Sequence, residues 1–192
     1  MRRIKRAGVR LPLAGVLALS LLGGGTAAAQ TGGSGPPGST AGDSQTSSAP
    51  VGKPRKAKLN RKTGIAIPPS GAPAAVVSAI NAGNAIHGRP YVWGGGHGSF
   101  ESRGYDCSGA VSYVLHAAGM LASPLPSGPL MSWGRPGKGR WMSVMANRSH
   151  TYAVVAGLRW DTSSYGSGGS GPRWRWTKRR PRGFAVRHWT GY

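Results

Sequence analysis

A segment without any large apolar side chain divides this chain and limits where a hydrophobic core can form. Residues 30–50 are small or polar, with many Gly and Pro, and such a composition cannot bury enough apolar surface to offset the entropy lost on ordering. Residues 51–71 add basic side chains among Pro and Gly. We therefore predict a disordered linker over residues 30–71, first rich in Gly, Ser and Pro and then basic, and a folded domain over residues 72–192.

The first 29 residues have the three-part pattern of a secretory signal peptide. Basic residues precede an apolar run over residues 11–22, and Ala27, Ala28 and Ala29 offer an A-x-A cleavage site. The apolar run is shorter than the roughly 20 residues of a membrane helix. We predict a secreted protein, extracellular or in the cell wall, with no stable membrane span after cleavage. An uncleaved N-terminal anchor is the alternative.

The chain is strongly basic and carries a single thiol. Its formal charge of +21 comes from 25 Lys and Arg residues against 4 Asp and Glu residues. This balance favours anionic surroundings such as nucleic acid, an acidic membrane face or an anionic polymer, without choosing among them. One cysteine excludes an intramolecular disulfide, so Cys107 is unpaired within the chain.

Two amphipathic helices are predicted at the start of the folded part. Apolar residues recur at helical spacing over residues 73–87, and Gly83 on the same face would let another element pack closely. In the second helix Asp106 is a good N-cap and Cys107 begins the first turn. A loop rich in Pro and Gly is predicted over residues 123–140.

Strands are predicted after this loop. The run over residues 150–155 predicts a strand that opens with His150, Gly157 predicts a turn, and residues 158–161 predict the hairpin partner. Further short strands are predicted around residues 174–176 and 184–187. Helices followed by a meander of strands predict an α+β domain, with helices packed on one antiparallel β-sheet.

Cys107 is a candidate nucleophile, because a helix N-terminus favours the thiolate. The candidate base is His150, since a sheet would hold its ring against the cysteine helix. Asp161 is the one acid after Cys107 and lies across the predicted hairpin from His150, so it is the candidate that orients the histidine. Three alternatives stay open: a buried apolar role for Cys107, a structural role for His150 and a turn-organising role for Asp161.

Two short stretches carry a resemblance to a known family. They are Pro90-Tyr91-Val92-Trp93-Gly94-Gly95 and Tyr105-Asp106-Cys107-Ser108-Gly109-Ala110-Val111. Together they resemble the signature of the NlpC-type (NlpC/p-sixty) cell-wall cysteine peptidases. The resemblance implies a papain-like α+β fold and a peptidoglycan hydrolase, a thiol protease in which Cys107 attacks a stem-peptide (or cross-link) amide bond and His150 transfers the proton.

The same resemblance implies roles for residues near the nucleophile. Tyr91 matches a family tyrosine whose hydroxyl lies near the cysteine, and Asp106 and Ser108 match the residues that flank it. The backbone N–H of Cys107 would help to stabilise an oxyanion. With Trp93 from the same motif, Tyr91, Asp106 and Ser108 are the predicted substrate-binding or oxyanion residues.

The chain departs from the family pattern at the histidine. Family members often have Gly-His-Val there, whereas this chain has Ser149-His150-Thr151. The orienting residue is commonly His, Asn or Gln, whereas here it would be Asp161. The departure concerns the third residue more than the Cys-His pair.

No cofactor is predicted, and no metal, because the histidines lack ligand-like spacing with acids. The expected partner is peptidoglycan, with anionic wall polymers bound through the basic tract over residues 173–182, and we expect a monomer. The aromatics in that tract would also suit single-stranded nucleic acid, and its charge would suit a solvated strand edge. Export argues against a nucleic-acid role, so no specific nucleic acid is predicted.

Other functions compete with the hydrolase. One is a catalytically silent wall-binding or polyanion-binding module on the same fold. Another is a secreted polyanion-binding protein driven by charge alone. Amidase or acyl-transfer chemistry on the same Cys-His pair is a variant of the hydrolase hypothesis.

Overall fold

The computed structural model describes residues 53–164 and 170–190 of the 192-residue chain. The predicted signal peptide and the linker before residue 53 lie outside the described residues. Within them, no helix has the length and apolar character needed to cross a membrane. The elements in chain order are β1 (Lys58–Leu59), β2 (Ala66–Ile67), α1 (Ala74–Ile86), α2 (Cys107–Ala117), α3 (Ser127–Leu130), β3 (Arg135–Pro136), β4 (Met142–Ala146), β5 (Thr151–Val155), β6 (Leu158–Asp161), β7 (Arg173–Arg175) and β8 (Ala185–His188).

A short hairpin precedes the first helix, within the stretch expected to be a linker. β1 and β2 pair antiparallel, and Ala57 and Ala66 are buried in the hydrophobic core. The side-chain amide of Asn84 bonds both backbone polar groups of Ala66, at 2.9 Å to its N–H and 2.8 Å to its carbonyl oxygen. These contacts correct the prediction of a disordered linker for residues 53–71. The order comes from long-range partners that the local composition does not reveal.

The helix α1 agrees with the predicted span to within one residue at each end. Its buried face consists of Val76, Ala79, Ile80, Gly83 and Ile86. The indole ring of Trp174 packs so closely on Gly83 that a Cβ atom at this position would collide with it. The Trp174 Nε1–H also donates to Oδ1 of Asn84 at 2.9 Å. The predicted close approach at Gly83 is therefore confirmed, with β7 as the approaching element.

Six strands form one antiparallel sheet in the order β3-β8-β4-β5-β6-β7. The predicted hairpin is β5 with β6, in which Val155 faces Leu158 across the turn. No element was predicted over β4, which is buried along its whole length and so lacks the alternation of a half-exposed strand. The loop predicted over residues 123–140 contains α3 and β3.

The helix α2 packs against β5 and β6. Its apolar face of Val111, Val114 and Leu115 is buried, and the Trp160 Nε1–H from β6 donates to the buried carbonyl of Ala110 at 2.9 Å. Helices packed on one antiparallel sheet confirm the predicted α+β class. The arrangement brings the N-terminus of α2 to the end of the β5–β6 hairpin, where the candidate residues meet.

Candidate active site

Cys107 is the first residue of α2 and is buried. The carboxylate of Asp106 caps the helix by accepting a hydrogen bond from the Gly109 N–H at 2.8 Å. The predicted cap is confirmed. The thiol therefore lies at the positive end of the helix dipole, where negative charge is stabilised.

The two signature stretches, residues 90–95 and 105–111, are in direct backbone contact. Their glycines make this close contact possible. The Asp106 N–H donates to the carbonyl of Gly95 at 3.1 Å. A Cβ atom at Gly109 would collide with this same carbonyl, and one at Gly95 would collide with the backbone of Gly104. The glycines thus permit a close backbone contact that holds the loop of residues 91–93 beside the N-terminus of α2.

His150 directly precedes β5, rather than opening it as predicted, and its ring is fixed from one side. Its Nε2 atom lies 2.9 Å from Oδ1 of Asp161, the last residue of β6, and 3.1 Å from Oγ of Ser163. The His150 side chain also interacts with Cys107, and this interaction contributes to the raised pKa of His150. Because Nε2 faces Asp161, the other side of the ring is left for the thiol. The structure therefore joins Cys107, His150 and Asp161 in one chain of contacts.

The electrostatic surroundings of Cys107, His150 and Asp161 favour the charged form of each side chain. Burial alone raises the pKa of Cys107, but hydrogen bonds with His150, Ser127 and the Thr151 backbone outweigh it and hold that pKa below its ordinary value. Burial lowers the pKa of His150, yet the hydrogen bonds and negative charges of Asp161 and Cys107 raise it to about 9. Both shifts favour the pair of thiolate and imidazolium over the pair of neutral groups.

Asp161 is a buried carboxylate surrounded by donors. Oδ1 accepts from the backbone N–H and the hydroxyl of Ser163, each at 2.9 Å, in addition to His150. Oδ2 lies 3.3 Å from Arg159 Nε and 3.5 Å from Arg179 Nη1. Burial raises the pKa of Asp161, but the bonds from His150 and Ser163 lower it to about 2. The carboxylate both contacts the histidine and organises the following turn.

Sequence reasoning missed three residues of this site. Ser127 Oγ lies 3.7 Å from the Cys107 sulfur, at the start of α3. His97 Nε2 lies 2.9 Å from Asp106 Oδ2, and Ser163 contacts His150 as described above. The loop prediction around Ser127 gave no signal, since a four-residue helix has no periodicity to detect. For His97, its position between the two signature stretches was the one feature of the sequence that could have placed it in the site.

The predicted substrate-binding or oxyanion residues divide into two groups. Burial and the negative charges of Cys107 and Asp106 raise the pKa of Tyr91, so this phenol lies in the field of the thiol. Trp93 is 86% exposed. Asp106 and Ser108 are instead buried, and the Ser108 hydroxyl donates to Asp106 Oδ1 at 3.1 Å. Tyr91 and Trp93 are thus available to a substrate, whereas Asp106 and Ser108 stabilise the first helical turn.

Two further histidines form hydrogen bonds with backbone carbonyl groups rather than with the thiol. His116 Nδ1 lies 2.9 Å from the carbonyl oxygen of Leu121, and His188 Nδ1 lies 3.2 Å from that of Gly137. Among residues 53–164 and 170–190, no three His, Cys, Asp or Glu side chains form a group that could hold a metal ion.

Comparisons with known proteins give structural neighbours only. No protein-family model matches the chain, and no curated protein matches it. The peptidoglycan hydrolase RipB of Mycobacterium tuberculosis is 25% identical, with a TM-score of 0.49 over 66% of this chain and 70% of that one. The hypothetical invasion protein Rv1477 of the same organism is 22% identical, with a TM-score of 0.47 over 72% and 71%. A mutated form of the Resuscitation Promoting Factor Interacting protein RipA is 22% identical, with a TM-score of 0.46 over 73% and 71%.

Proposed function

We propose that this protein is a secreted peptidoglycan hydrolase, a cysteine endopeptidase that cleaves a stem-peptide or cross-link amide bond. The observation that carries the proposal is the contact chain from Cys107 through His150 to Asp161, with the thiol at a helix N-terminus. The two signature stretches, which resemble those of NlpC-type peptidases, support a peptidoglycan substrate. The signal-peptide pattern of residues 1–29 supports export to the wall.

In the first step the Cys107 thiolate attacks the carbonyl carbon of the substrate amide, and a C–S bond forms. Negative charge moves to the carbonyl oxygen, where the backbone N–H of Cys107 and the helix dipole stabilise it. The C–N bond then breaks, and the His150 imidazolium gives its proton to the departing amine. The product is a thioester on Cys107 and a neutral His150.

In the second step His150 takes a proton from water as the water oxygen attacks the thioester carbon. The C–S bond breaks, the peptide acid leaves, and the thiolate and imidazolium are restored. Asp161 remains ionised throughout, because its pKa of about 2 lies far below that of the histidine. Its role in the proposal is to hold the His150 ring and to stabilise the imidazolium.

Substrate contacts are proposed for the loop beside the nucleophile. Tyr91, Val92 and Trp93 are exposed large side chains on the loop that the Gly95–Gly109 contact holds against α2. Exposed aromatic side chains in contact with the mouth of a site supply contact area at low entropic cost. We assign the binding of the stem peptide to Tyr91 and Trp93.

The test is release of muropeptides from purified peptidoglycan by the full chain. Cys107→Ala and His150→Gln should abolish release, and the exposed His116→Gln should leave it unchanged as a matched histidine control. Mass spectrometry of the new amino termini would name the bond that is cut. New termini that appear equally with Cys107→Ala would refute the cysteine mechanism.

A silent binding module is the alternative that this assay separates. Such a protein would sediment with the wall and release nothing, and Cys107→Ala would bind as the unmodified chain does. Binding that disappears at moderate salt would point to charge alone. The ordered Cys107, His150 and Asp161 favour the enzyme, because a silent module does not need a thiol of lowered pKa.

A further inference from the structure

A cavity lies on the sheet, and none of the three proposed catalytic residues lines it. Its volume is about 400 Å³, within the range of small-molecule sites. The part of its lining that comes from the central strands is Ser143, Met145, Tyr152, Val154 and Arg159. The basic tract over residues 173–182 contributes Lys178 and Arg179 to the wall.

The lining of this cavity is strongly cationic. Besides Arg159, its basic residues are Arg55, Lys56, Lys138, Arg140, Lys178 and Arg179. No Asp or Glu belongs to the lining among the described residues. The nearby Asp161 lies within ion-pair distance of Arg159 and Arg179, so this carboxylate neutralises only part of the positive charge of the lining. Such an excess of like charge in a concave site attracts anions.

A buried neutral group in the cavity lacks a hydrogen-bond partner among the described residues. Tyr152 is fully buried, and its hydroxyl makes no hydrogen bond within the described part of the chain. Leaving a buried hydroxyl unsatisfied is unfavourable, so a bound acceptor would recover a hydrogen bond there. The Arg179 guanidinium lies over the Tyr152 ring, 5.3 Å from its centroid, and helps to cover it. A ligand that draws Arg179 toward itself would uncover the hydroxyl.

We infer that this cavity is a binding site for an anion that carries two linked phosphate groups. Even with Arg159 and Arg179 paired to Asp161, the lining includes Arg55, Lys56, Lys138 and Lys178, whose charge exceeds what one singly charged group can neutralise. Phosphate oxygens also accept several donors at once. Arginine forks suit such oxygens, and Lys138 and Lys178 add point charges at the rim. The Tyr152 hydroxyl would be the neutral donor of the site. This proposal does not depend on the hydrolase proposal, although Arg159 and Arg179 of the cavity also contact Asp161.

The experiment is calorimetric titration of the full chain with inorganic pyrophosphate at low salt, with orthophosphate as the comparison ligand. Pyrophosphate should bind at one site, at least about tenfold more tightly than orthophosphate. Tyr152→Phe should weaken binding by about tenfold, since a hydrogen bond to a charged group is lost. The same variant should unfold no more easily without ligand, because the hydroxyl that it lacks had no partner.

Charge variants separate a built site from diffuse attraction. The double variant Arg55→Gln/Lys138→Gln should weaken pyrophosphate binding by about tenfold or more. The control Lys62→Gln/Arg103→Gln removes the same charge from exposed positions outside the cavity and should change binding by less than about twofold. Equal losses in the two double variants, unchanged binding by Tyr152→Phe, or no saturable binding would each overturn the inference. Cys107→Ala should bind pyrophosphate normally, so a failed hydrolase assay leaves this test unaffected.

Discussion

The Nε2 atom of His150 lies 2.9 Å from Oδ1 of Asp161, although the two residues are eleven positions apart in the sequence. The contact joins the residue before β5 to the last residue of β6, so strand pairing itself places the carboxylate beside the ring. Ser163 and Arg179 hold the same carboxylate from other sides. The hairpin therefore helps to set the pKa of His150, and substitutions in the hairpin can test this.

Replacement of Asp161 by Asn should shift the alkaline limit of activity to lower pH. Asn carries no charge, so the pKa of His150 should fall from about 9 toward its ordinary value of 6.5. Because the imidazolium donates the proton to the leaving amine, and its fraction at pH 8 would fall with this pKa, kcat/KM should fall by about 30-fold at pH 8. The pH–rate profile measures both effects, and Glu101→Gln serves as the control acid. An unchanged alkaline limit would contradict the assigned role of Asp161.

Ser127 should help to set the acidity of the thiol. Its hydroxyl lies 3.7 Å from the Cys107 sulfur and contributes to the lowered pKa of that group. Ser127→Ala should therefore raise the pKa of Cys107, and thiolate formation should move to higher pH. The rate of iodoacetamide alkylation as a function of pH reports this directly. Ser99→Ala, in an exposed loop, should give the profile of the unmodified protein.

Trp93 should contribute to substrate binding without affecting the thiol. It is exposed and belongs to the loop beside α2, so Trp93→Ala should raise KM for wall fragments by about tenfold with little change in kcat. The alkylation profile of Cys107 should stay the same. Trp176→Ala removes another exposed indole, at 60% exposure, and is the matched control. A loss confined to kcat would place Trp93 in the chemical step instead.

Gly83→Ala should destabilise the domain even though alanine favours helices. A Cβ atom there would collide with the Trp174 ring, and overpacking of this kind costs about 1–3 kcal/mol. The helical preference of alanine offsets up to about 1 kcal/mol of this. Thermal unfolding should show a lower Tm than for the unmodified chain. Gly128→Ala, where a Cβ atom would meet nothing within 4 Å, should not lower the Tm.

Structural features that depend on residues close together in the sequence were predictable. Asp106 before an apolar periodic stretch predicted the start of α2, and the turn at Gly157 predicted the hairpin that brings Asp161 to His150. Both depend on residues close together in the chain. The order of contacts in the site followed from placing these two elements together.

Features that depend on distant partners were not predictable. β1 and β2 are ordered by Asn84 and by burial in the core, and β4 is identified by its neighbours on both sides rather than by alternation. Ser127 reaches Cys107 because a four-residue helix turns the loop toward α2. In each case the decisive contact joins segments whose proximity a single sequence does not encode locally.

The place of β8 in the sheet has a consequence for how the domain assembles during synthesis. This strand lies between β3 and β4. The Trp174 indole packs on α1 at Gly83. Until residues 174–188 have left the ribosome, β4 has an open edge and α1 has an uncovered groove. Assembly of the complete sheet therefore waits for β8, and nascent chains cut short before β8 should be prone to aggregate.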